Sequence, residues 1–196
     1  MKKTRIILCI ITFVLIAVSV SCSAVCCNRY KQPSQKVYKC GESFVVEGLE
    51  YKLKNIEMYT FYDAMSKYNM TADDFMVGEE YLDWAPRKKV FIGEIEITCV
   101  SEDYRYDVNG NILGYNRYLI SSSHEYDFER KLNGNGYNQL ELKKGEQKTI
   151  YVAYSLMDYA FFEETWENLS VDDISIYVYD SNNGIEYFMN MSGKNP

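Results

Sequence analysis

The chain contains one histidine, His124, which lies in the polar run Ser121-Ser122-Ser123-His124-Glu125. A serine–histidine–acid relay needs a base that is oriented by a third group, together with an oxyanion hole. The residues around His124 specify neither of these. We therefore predict a loop histidine and assign no catalytic residue and no cofactor.

Cys40 and Cys99 are the two cysteines that lie beyond the N-terminal 27 residues, and the chain has no Cys-x-x-Cys pair that would indicate zinc. In an oxidising compartment they can form a disulfide that contributes about 4 kcal/mol in the chain-entropy model. The alternative is a buried thiol at Cys99, which continues the apolar face of its strand, with Cys40 free. The spacing alone does not decide between them.

Asp107, Asn109 and Asn111 have the spacing of the first three ligands of an EF-hand calcium loop. The sixth position of that loop is Ile112 rather than glycine, and the twelfth is Tyr118 rather than glutamate. We therefore predict no metal site. The pair Asn109-Gly110 instead favours a tight turn that joins two strands in a hairpin.

Tyrosine is the one residue type in excess, with 19 in the chain. Four of them lie on or near the predicted hairpin: Tyr104, Tyr106, Tyr115 and Tyr118. Tyrosines that face out of a sheet stack on sugars or anchor a protein partner. They also suit the interior of strands, so ordinary sheet packing is the alternative to a binding surface.

Strands must position these residues. The clearest is 90–100 (VFIGEIEITCV), in which Phe91, Ile95, Ile97 and Cys99 share one face, and we predict a central strand. Further alternating segments are predicted at 43–47, 49–58, 115–121, 137–142, 149–156, 174–180 and 185–189. Short strands separated by glycine and asparagine turns indicate an all-β antiparallel sandwich.

Residues 59–88 break this pattern. Thr71 precedes Asp73 and Asp74, which is typical of a capped helix start, whereas Gly78 and Pro86 limit the helix length. We predict a short helical insertion that covers one end of the core.

The N-terminus contains 22 residues without charge, from Ile6 to Cys27. As a helix this segment extends roughly 33 Å, enough to span a bilayer. A cleaved signal also fits, and lipidation at Cys22 is the second alternative. The predicted organisation is a signal or membrane anchor at 1–27, a tether at 28–40 and a β-sandwich at 41–192.

The charge is unevenly distributed. The first 41 residues hold seven of the 21 basic residues and none of the 28 acidic ones, so the rest of the chain has a formal charge of −14. Such an acidic domain is unsuited to nucleic acid, whose phosphates require a basic surface. A hydrophobic segment after a short basic start favours export, with the C-terminal domain outside the cell membrane.

Three features together resemble a known family: the order Tyr38-Lys39-Cys40-Gly41-Glu42 before a Gly48-centred strand pair, the strand VFIGEIEITCV, and Leu142-Lys143-Lys144-Gly145-Glu146 before TIYVAYSL. This order resembles the immunoglobulin-like domains of uncharacterised exported lipoproteins and membrane-anchored proteins of Gram-positive bacteria. The resemblance implies an immunoglobulin-like β-sandwich at the cell envelope and supplies no site residue.

These observations favour a membrane-tethered, non-enzymatic module that binds an envelope glycan or protein partner. The alternatives are a structural or stress-related envelope component without a ligand, and a carboxylate-dependent hydrolase.

Overall fold

A computed structural model describes residues 33–75, 79–102, 104–107, 112–118, 120, 122–134 and 139–194. The chain divides after Ser34 into two units, and the second of them, Gln35–Pro196, contains the β-sheets and the helices that cover them. The predicted anchor Ile6–Cys27, with Cys22, lies outside the described residues. Within the described ranges, no helix has both the length and the apolar character needed to cross a membrane.

A five-stranded antiparallel sheet is built around the longest alternating segments of the sequence. Its strands, in spatial order, are β2 (Ser43–Val46), β3 (Leu49–Thr60), β4 (Lys88–Cys99), β9 (Gln147–Met157) and β7 (Ser123–His124). Strand β4 pairs along its length with β3 on one side and β9 on the other. The prediction of a central strand at 90–100 is therefore confirmed.

A four-stranded sheet lies opposite. Its strands, in spatial order, are β1 (Ser34–Lys39), β11 (Ile185–Asn190), β10 (Ile174–Asp180) and β6 (Ile112–Asn116). Strands β10 and β11 form the predicted C-terminal hairpin. The Asp180 carboxylate stabilises its turn, because one oxygen accepts hydrogen bonds from the backbone N–H groups of Asn182 and Asn183 at 3.1 and 3.0 Å.

Strand β1 corrects the predicted boundary of the tether, which we placed at residues 28–40. Residues 34–39 belong to the sheet and lie beside β11, and the N–H of Cys40 donates to the carbonyl of Asn190 at 2.8 Å. The cause is Tyr38, whose ring lies 4.8 Å from Phe44 and 6.3 Å from Tyr187, centroid to centroid. The ring contacts of Tyr38 thus hold an otherwise polar segment against the sheet.

The predicted hairpin across Asn109-Gly110 is wrong in its pairing. Strand β5 (Tyr104–Asp107) pairs with β8 (Gln139–Leu142) in a separate two-stranded ribbon, whereas β6 pairs with β10. The turn itself lies outside the described residues. Long-range pairing is preferred because it buries Ile112 and Leu142 in the core.

The two larger sheets enclose the main core. Its fully buried large side chains include Leu49, Tyr51, Leu53, Phe91, Ile95, Ile97, Ile112 and Ile150. A β-bulge at Lys54 shifts the register between β3 and β4. Because of this extra residue, the inward positions of β3 change from Leu53 to Ile56, which keeps both ends of the strand in the core.

A helical layer covers the other face of the five-stranded sheet. It is formed by α1 (Phe61–Lys67), α2 (Tyr126–Asn133) and 3₁₀ segments at Ala72–Asp74 and Glu79–Arg87. These elements and the sheet enclose a second apolar cluster: Phe61, Ala64, Met70, Phe75, Ala85, Val90, Ile92, Phe128 and Ala153. The predicted helical insertion at 59–88 is confirmed in part, since Thr71 begins a single 3₁₀ turn rather than a longer helix.

The connection between β9 and β10 contains a third short helix, α3 (Glu163–Glu167), flanked by 3₁₀ turns at Asp158–Ala160 and Val171–Asp173. Phe161 and Trp166 from this connection pack against the main core.

Candidate functional site

A cavity of about 320 Å³ opens at the free edge of β6. Its lining consists of Leu113, Gly114, Tyr115, Ile120, Ser122, Tyr154 and Tyr177. Three tyrosines from three strands thus converge there. Cavities of ~300–1,000 Å³ with apolar walls and a few polar groups are the usual form of a ligand site.

Strand register explains how these side chains meet. Leu113 is paired with Tyr177 in the β6–β10 ladder, so both side chains lie on the outer face of the four-stranded sheet, as does Tyr115. Gly114 points to the opposite, inner face, toward Tyr154 of the other sheet. The cavity therefore curves around the edge of β6 rather than lying between the sheets.

Tyr154 forms the buried wall of the cavity. Its hydroxyl donates a hydrogen bond to the carbonyl oxygen of Ile112 at 2.6 Å. Burial, with the nearby negative charge of Glu129, raises the pKa of Tyr154 well above its ordinary value, so the hydroxyl remains a neutral donor. A Cβ atom on Gly114 would lie 2.6 Å from Cγ of this ring, so glycine is required there.

Ser122 completes the polar side of the cavity, because its hydroxyl donates to the carbonyl of Gly114 at 3.1 Å. Alternate carbonyls of the β6 edge, from Ile112 and Gly114, are thus bonded by the hydroxyls of Tyr154 and Ser122. Among the described residues no strand pairs with this edge of β6, and these two side chains bond its carbonyls instead.

Tyr115 and Tyr177 form the outer rim. Both rings pack on Phe188, with centroid distances of 5.2 and 5.1 Å, and Phe188 is only 1% exposed although it lies on the outer face. Burial and the charge of Glu186 raise the pKa of both hydroxyls. The rim therefore presents rigid rings with protonated hydroxyls beside one carboxylate.

His124 lies behind the cavity wall, which corrects the prediction of a loop histidine. It forms β7 with Ser123, pairs with Tyr154, and stacks on that ring at 4.7 Å with an interplanar angle of 23°. Its Nε2 atom is 2.6 Å from Oε1 of the buried Glu129. The same carboxylate oxygen accepts a hydrogen bond from the N–H of Ala153 at 2.8 Å.

A buried ion pair lies nearby under the helical layer. Nζ of Lys88 is 3.0 Å from Oε1 of Glu125, which also accepts the hydroxyl of Ser155. The described contacts thus join Ser155 to Glu125, and His124 to Glu129. They do not form the serine–histidine bond that acyl transfer requires.

Helix α2 also closes the free edge of β9. Oδ1 of Asn133 accepts from the N–H of Tyr151 at 2.7 Å, and Nδ2 donates to the carbonyl of Tyr151 at 2.7 Å. Asn133 and Glu129 are four residues apart, so they lie on the same face of the helix and reach β9 two residues apart. Together they act as a side-chain substitute for the continuation of β7.

The four predicted tyrosines do not form one surface. Tyr115 lines the cavity, whereas Tyr118 packs against Phe161 at 5.8 Å and accepts a hydrogen bond from Arg117. Tyr104 and Tyr106 lie on β5, in a different sheet. Tyr154 and Tyr177, which the sequence pattern assigned only to strands, are the residues that join Tyr115.

Cys40 and Cys99, for which the sequence left a disulfide and two free thiols as alternatives, are both free thiols in this structure. Sγ of Cys40 donates to the carbonyl of Lys54 at 3.0 Å, whereas Cys99 is paired with Leu49 at the far end of β3. Five strand residues correspond to roughly 16 Å, and a disulfide requires Cα atoms within about 7 Å. Within the described ranges, no group of three or more histidine, cysteine or carboxylate side chains is arranged to hold a metal ion.

Comparison with known proteins gives structural similarity only. The chain matches no family model and no curated protein. The solved yjhA protein of Bacillus subtilis is 10% identical, over 79% of this chain and 99% of that one, with a TM-score of 0.47. An uncharacterised beta-sandwich protein of Clostridium difficile is 12% identical, over 83% and 97% of the two chains, with a TM-score of 0.41.

A functionally unknown protein of Listeria monocytogenes is 19% identical, over 74% of this chain and 73% of that one, with a TM-score of 0.45. The chain is therefore similar in structure to uncharacterised proteins of Gram-positive bacteria, one of them described as a beta-sandwich. Similarity at this level identifies no ligand and no reaction.

Proposed function

We propose that this protein is an exported, membrane-tethered binding module whose tyrosine cavity holds a ring of an envelope saccharide. The single observation that carries this proposal is the convergence of Tyr115, Tyr154 and Tyr177 with the hydroxyl of Ser122 at one strand edge. Tyrosine rings offer an apolar face to the C–H groups of a sugar and a hydroxyl to its polar groups.

The charge around the cavity narrows the class of saccharide. Glu186 lies close enough to raise the pKa of the Tyr115 and Tyr177 hydroxyls, and the domain as a whole is acidic. A phosphate-bearing or carboxylated glycan is repelled by this field. A neutral or amino sugar is the ligand that the rim accepts.

Binding is favoured over hydrolysis by the state of the buried carboxylates. Glu125 and Glu129 are both buried and both engaged, Glu125 with Lys88 and Glu129 with His124. A glycosidase instead needs two carboxyl groups that flank the scissile bond in an open site.

Strand pairing supports an immunoglobulin-like assignment for Gln35–Lys194. Strands β4 and β9 pair in one sheet, flanked by β3 and β7, and β6, β10 and β11 lie in the other. This is the arrangement of strands A, B, E and D facing C, F and G in immunoglobulin constant-type domains. An experimental structure in which β4 and β9 were not neighbours would contradict it.

Calorimetric titration of the full chain with soluble β-linked oligomers of glucose and of N-acetylglucosamine tests the cavity. We expect saturable binding that weakens roughly tenfold in Tyr115→Ala and in Tyr177→Ala, since each substitution removes one stacking face. Tyr179→Ala is the matched control, because Tyr179 is an exposed tyrosine on the same face of β10 as Tyr177 but lies outside the cavity lining. A ligand-free structural role predicts no saturable binding, and equal weakening in all three variants would also refute the proposal.

Mass spectrometry of the membrane-extracted N-terminus tests the tether. An intact Met1 excludes lipidation, and a lipid-modified Cys22 excludes the uncleaved helix. Recovery of the chain in the cytosolic fraction rather than in the membrane would contradict membrane tethering altogether.

A further inference from the structure

Exposed aromatic side chains lie where the segment before β4 meets the segment after β9. Trp84 and Tyr159 meet there at Arg87, and Phe162 follows three residues after Tyr159. We refer to Trp84, Arg87, Tyr159 and Phe162 as the aromatic patch. Phe162 is 88% exposed, Tyr159 67% and Trp84 48%. Single exposed apolar residues are ordinary, whereas a group of large aromatic side chains in one place indicates an interaction surface.

Arg87 joins the two segments of the patch. Its guanidinium carbon lies 5.8 Å from the centroid of the Trp84 ring and 5.5 Å from that of Tyr159. Its Nε atom donates to both carboxylate oxygens of Asp158, at 2.9 and 3.1 Å. Two cation–π contacts and a bifurcated, charge-assisted hydrogen bond thus bring the Trp84 and Tyr159 rings to one place.

The backbone around Phe161 and Phe162 is fixed, so the exposure of the Phe162 ring does not result from a loose loop. The N–H of Phe161 bonds the carbonyl of Asp158 at 3.0 Å, and the Phe161 ring packs on Tyr118 and on Trp166. The carbonyl of Phe162 accepts the N–H of Trp166 at 2.9 Å, which fixes it at the start of α3. The backbone is held on both sides, and the Phe162 ring still points to solvent.

The residue types of the patch match those that dominate binding energy in protein interfaces, where tryptophan, tyrosine and arginine are enriched. The two exposed rings from the β9–β10 connection lose little side-chain entropy on binding because few torsions are free and the backbone is ordered. The patch therefore has the composition of an interface centre.

Charge identifies the class of occupant. Residues 149–193 contain eight acidic residues and no lysine or arginine. Asp83 precedes Trp84 in the sequence, Glu163 and Glu164 follow Phe162, and all three are exposed. This acidic rim repels an anionic lipid surface, and it equally repels the same patch on a second copy of the chain.

We propose that the aromatic patch docks a protein partner that has an apolar pocket for the Phe162 and Tyr159 rings and a basic rim around it. The patch shares no residue with the tyrosine cavity, so this inference does not depend on saccharide binding. Complementary charge at the rim accelerates association and selects the partner, whereas the buried rings supply the affinity.

Site-specific cross-linking followed by affinity measurement tests this inference. The full chain, with Phe162→p-benzoylphenylalanine, is irradiated in its own cells and the cross-linked species is identified. The partner protein identified in this way is then purified without the cross-link. It is titrated with the unmodified full chain at low and high salt. We expect a partner with a basic surface whose binding weakens roughly tenfold in Phe162→Ala and in Tyr159→Ala, and weakens further with salt.

Tyr62→Ala is the matched control, because Tyr62 is an exposed tyrosine of α1 outside the patch, and its affinity should equal that of the wild type. Thermal unfolding of each variant checks that the fold is unchanged. The inference is overturned if the cross-link forms only to lipid, only to a second copy of the chain, or to nothing. It is also overturned if the purified partner binds the patch variants as tightly as the wild type.

Discussion

The two faces of the five-stranded sheet are buried in different ways. The face toward the four-stranded sheet is covered by aliphatic and aromatic side chains from every long strand. The face toward the helices has a smaller apolar cluster, beside which the ion pair Lys88–Glu125 is also buried. The first face is held by buried apolar area, and the second also depends on paired charges.

The two faces should therefore lose stability in different ways when a side chain is removed. An apolar core loses stability in proportion to the volume removed, whereas a buried charge whose partner is removed keeps its full desolvation cost. Substitutions on the two faces should differ in whether a second substitution restores the free energy of unfolding that the first one removes.

The largest effect is expected for Lys88→Met, which removes the cation from the buried carboxylate of Glu125. We expect the free energy of unfolding to fall by about 3–5 kcal/mol in chemical denaturation. The double variant Lys88→Met with Glu125→Leu should recover at least half of that loss, because no unpaired charge remains. A single variant as stable as the wild type would show that this ion pair is not important to the helix-covered face.

On the sandwich face, Ile95→Ala is expected to lower the free energy of unfolding by about 2–5 kcal/mol through cavity formation, and Ile95→Val by about 1 kcal/mol. The loss should be the same at low and high salt, because the described residues of this core cluster carry no charge. Denaturation of both variants at two ionic strengths measures this. A marked salt dependence would erase the distinction between the two faces.

A smaller effect is expected for Asn133→Ala, which removes the side chain bonded to both backbone groups of Tyr151. The predicted loss is about 1–2 kcal/mol, with faster hydrogen exchange at the Tyr151 amide. Asn168→Ala is a suitable control, because Nδ2 of Asn168 bonds the carbonyl of Glu164 at an exposed helix end. Equal exchange rates at Tyr151 in both variants would refute the proposed edge closure.

The smallest effect at neutral pH is expected for Tyr154→Phe, which loses one hydrogen bond worth about 1 kcal/mol. Burial raises the folded-state pKa of Tyr154 above the unfolded value of about 10. The stability linked to this group is therefore present below pH 10 and is lost as pH rises beyond it. The variant should lose stability less steeply above pH 10 than the wild type and Tyr179→Phe, and parallel curves would contradict this.

The sandwich face was largely predictable from the sequence, because its strands carry a strict alternation that needs no knowledge of partners. The alternation in β4 and β9 and the turn before β11 are local signals. The pairing of β5 and β6 was not predictable, because the local Asn109-Gly110 signal favoured a hairpin and the alternative depended on strands far along the chain.

Helix α2 and the cavity were missed for a related reason. The sequence does contain a helix signal for α2, because Phe128 and Leu132 lie four residues apart before Asn133-Gly134. The polar run around His124 obscured this signal. The cavity required Tyr115 to meet Tyr154 and Tyr177, which belong to strands far from it in sequence. Only the register of β6 on β10 and the small size of Gly114 determine that these rings converge.

The side chains of Glu129 and Asn133, which bond the backbone of β9, also have a consequence for the solubility of this protein. An unpaired strand edge is a template on which another extended chain can add, and that route leads to fibrillar aggregates. Helix α2 occupies that template with two side chains of fixed spacing. Loss of the helix would therefore leave a sheet able to grow from one molecule into the next.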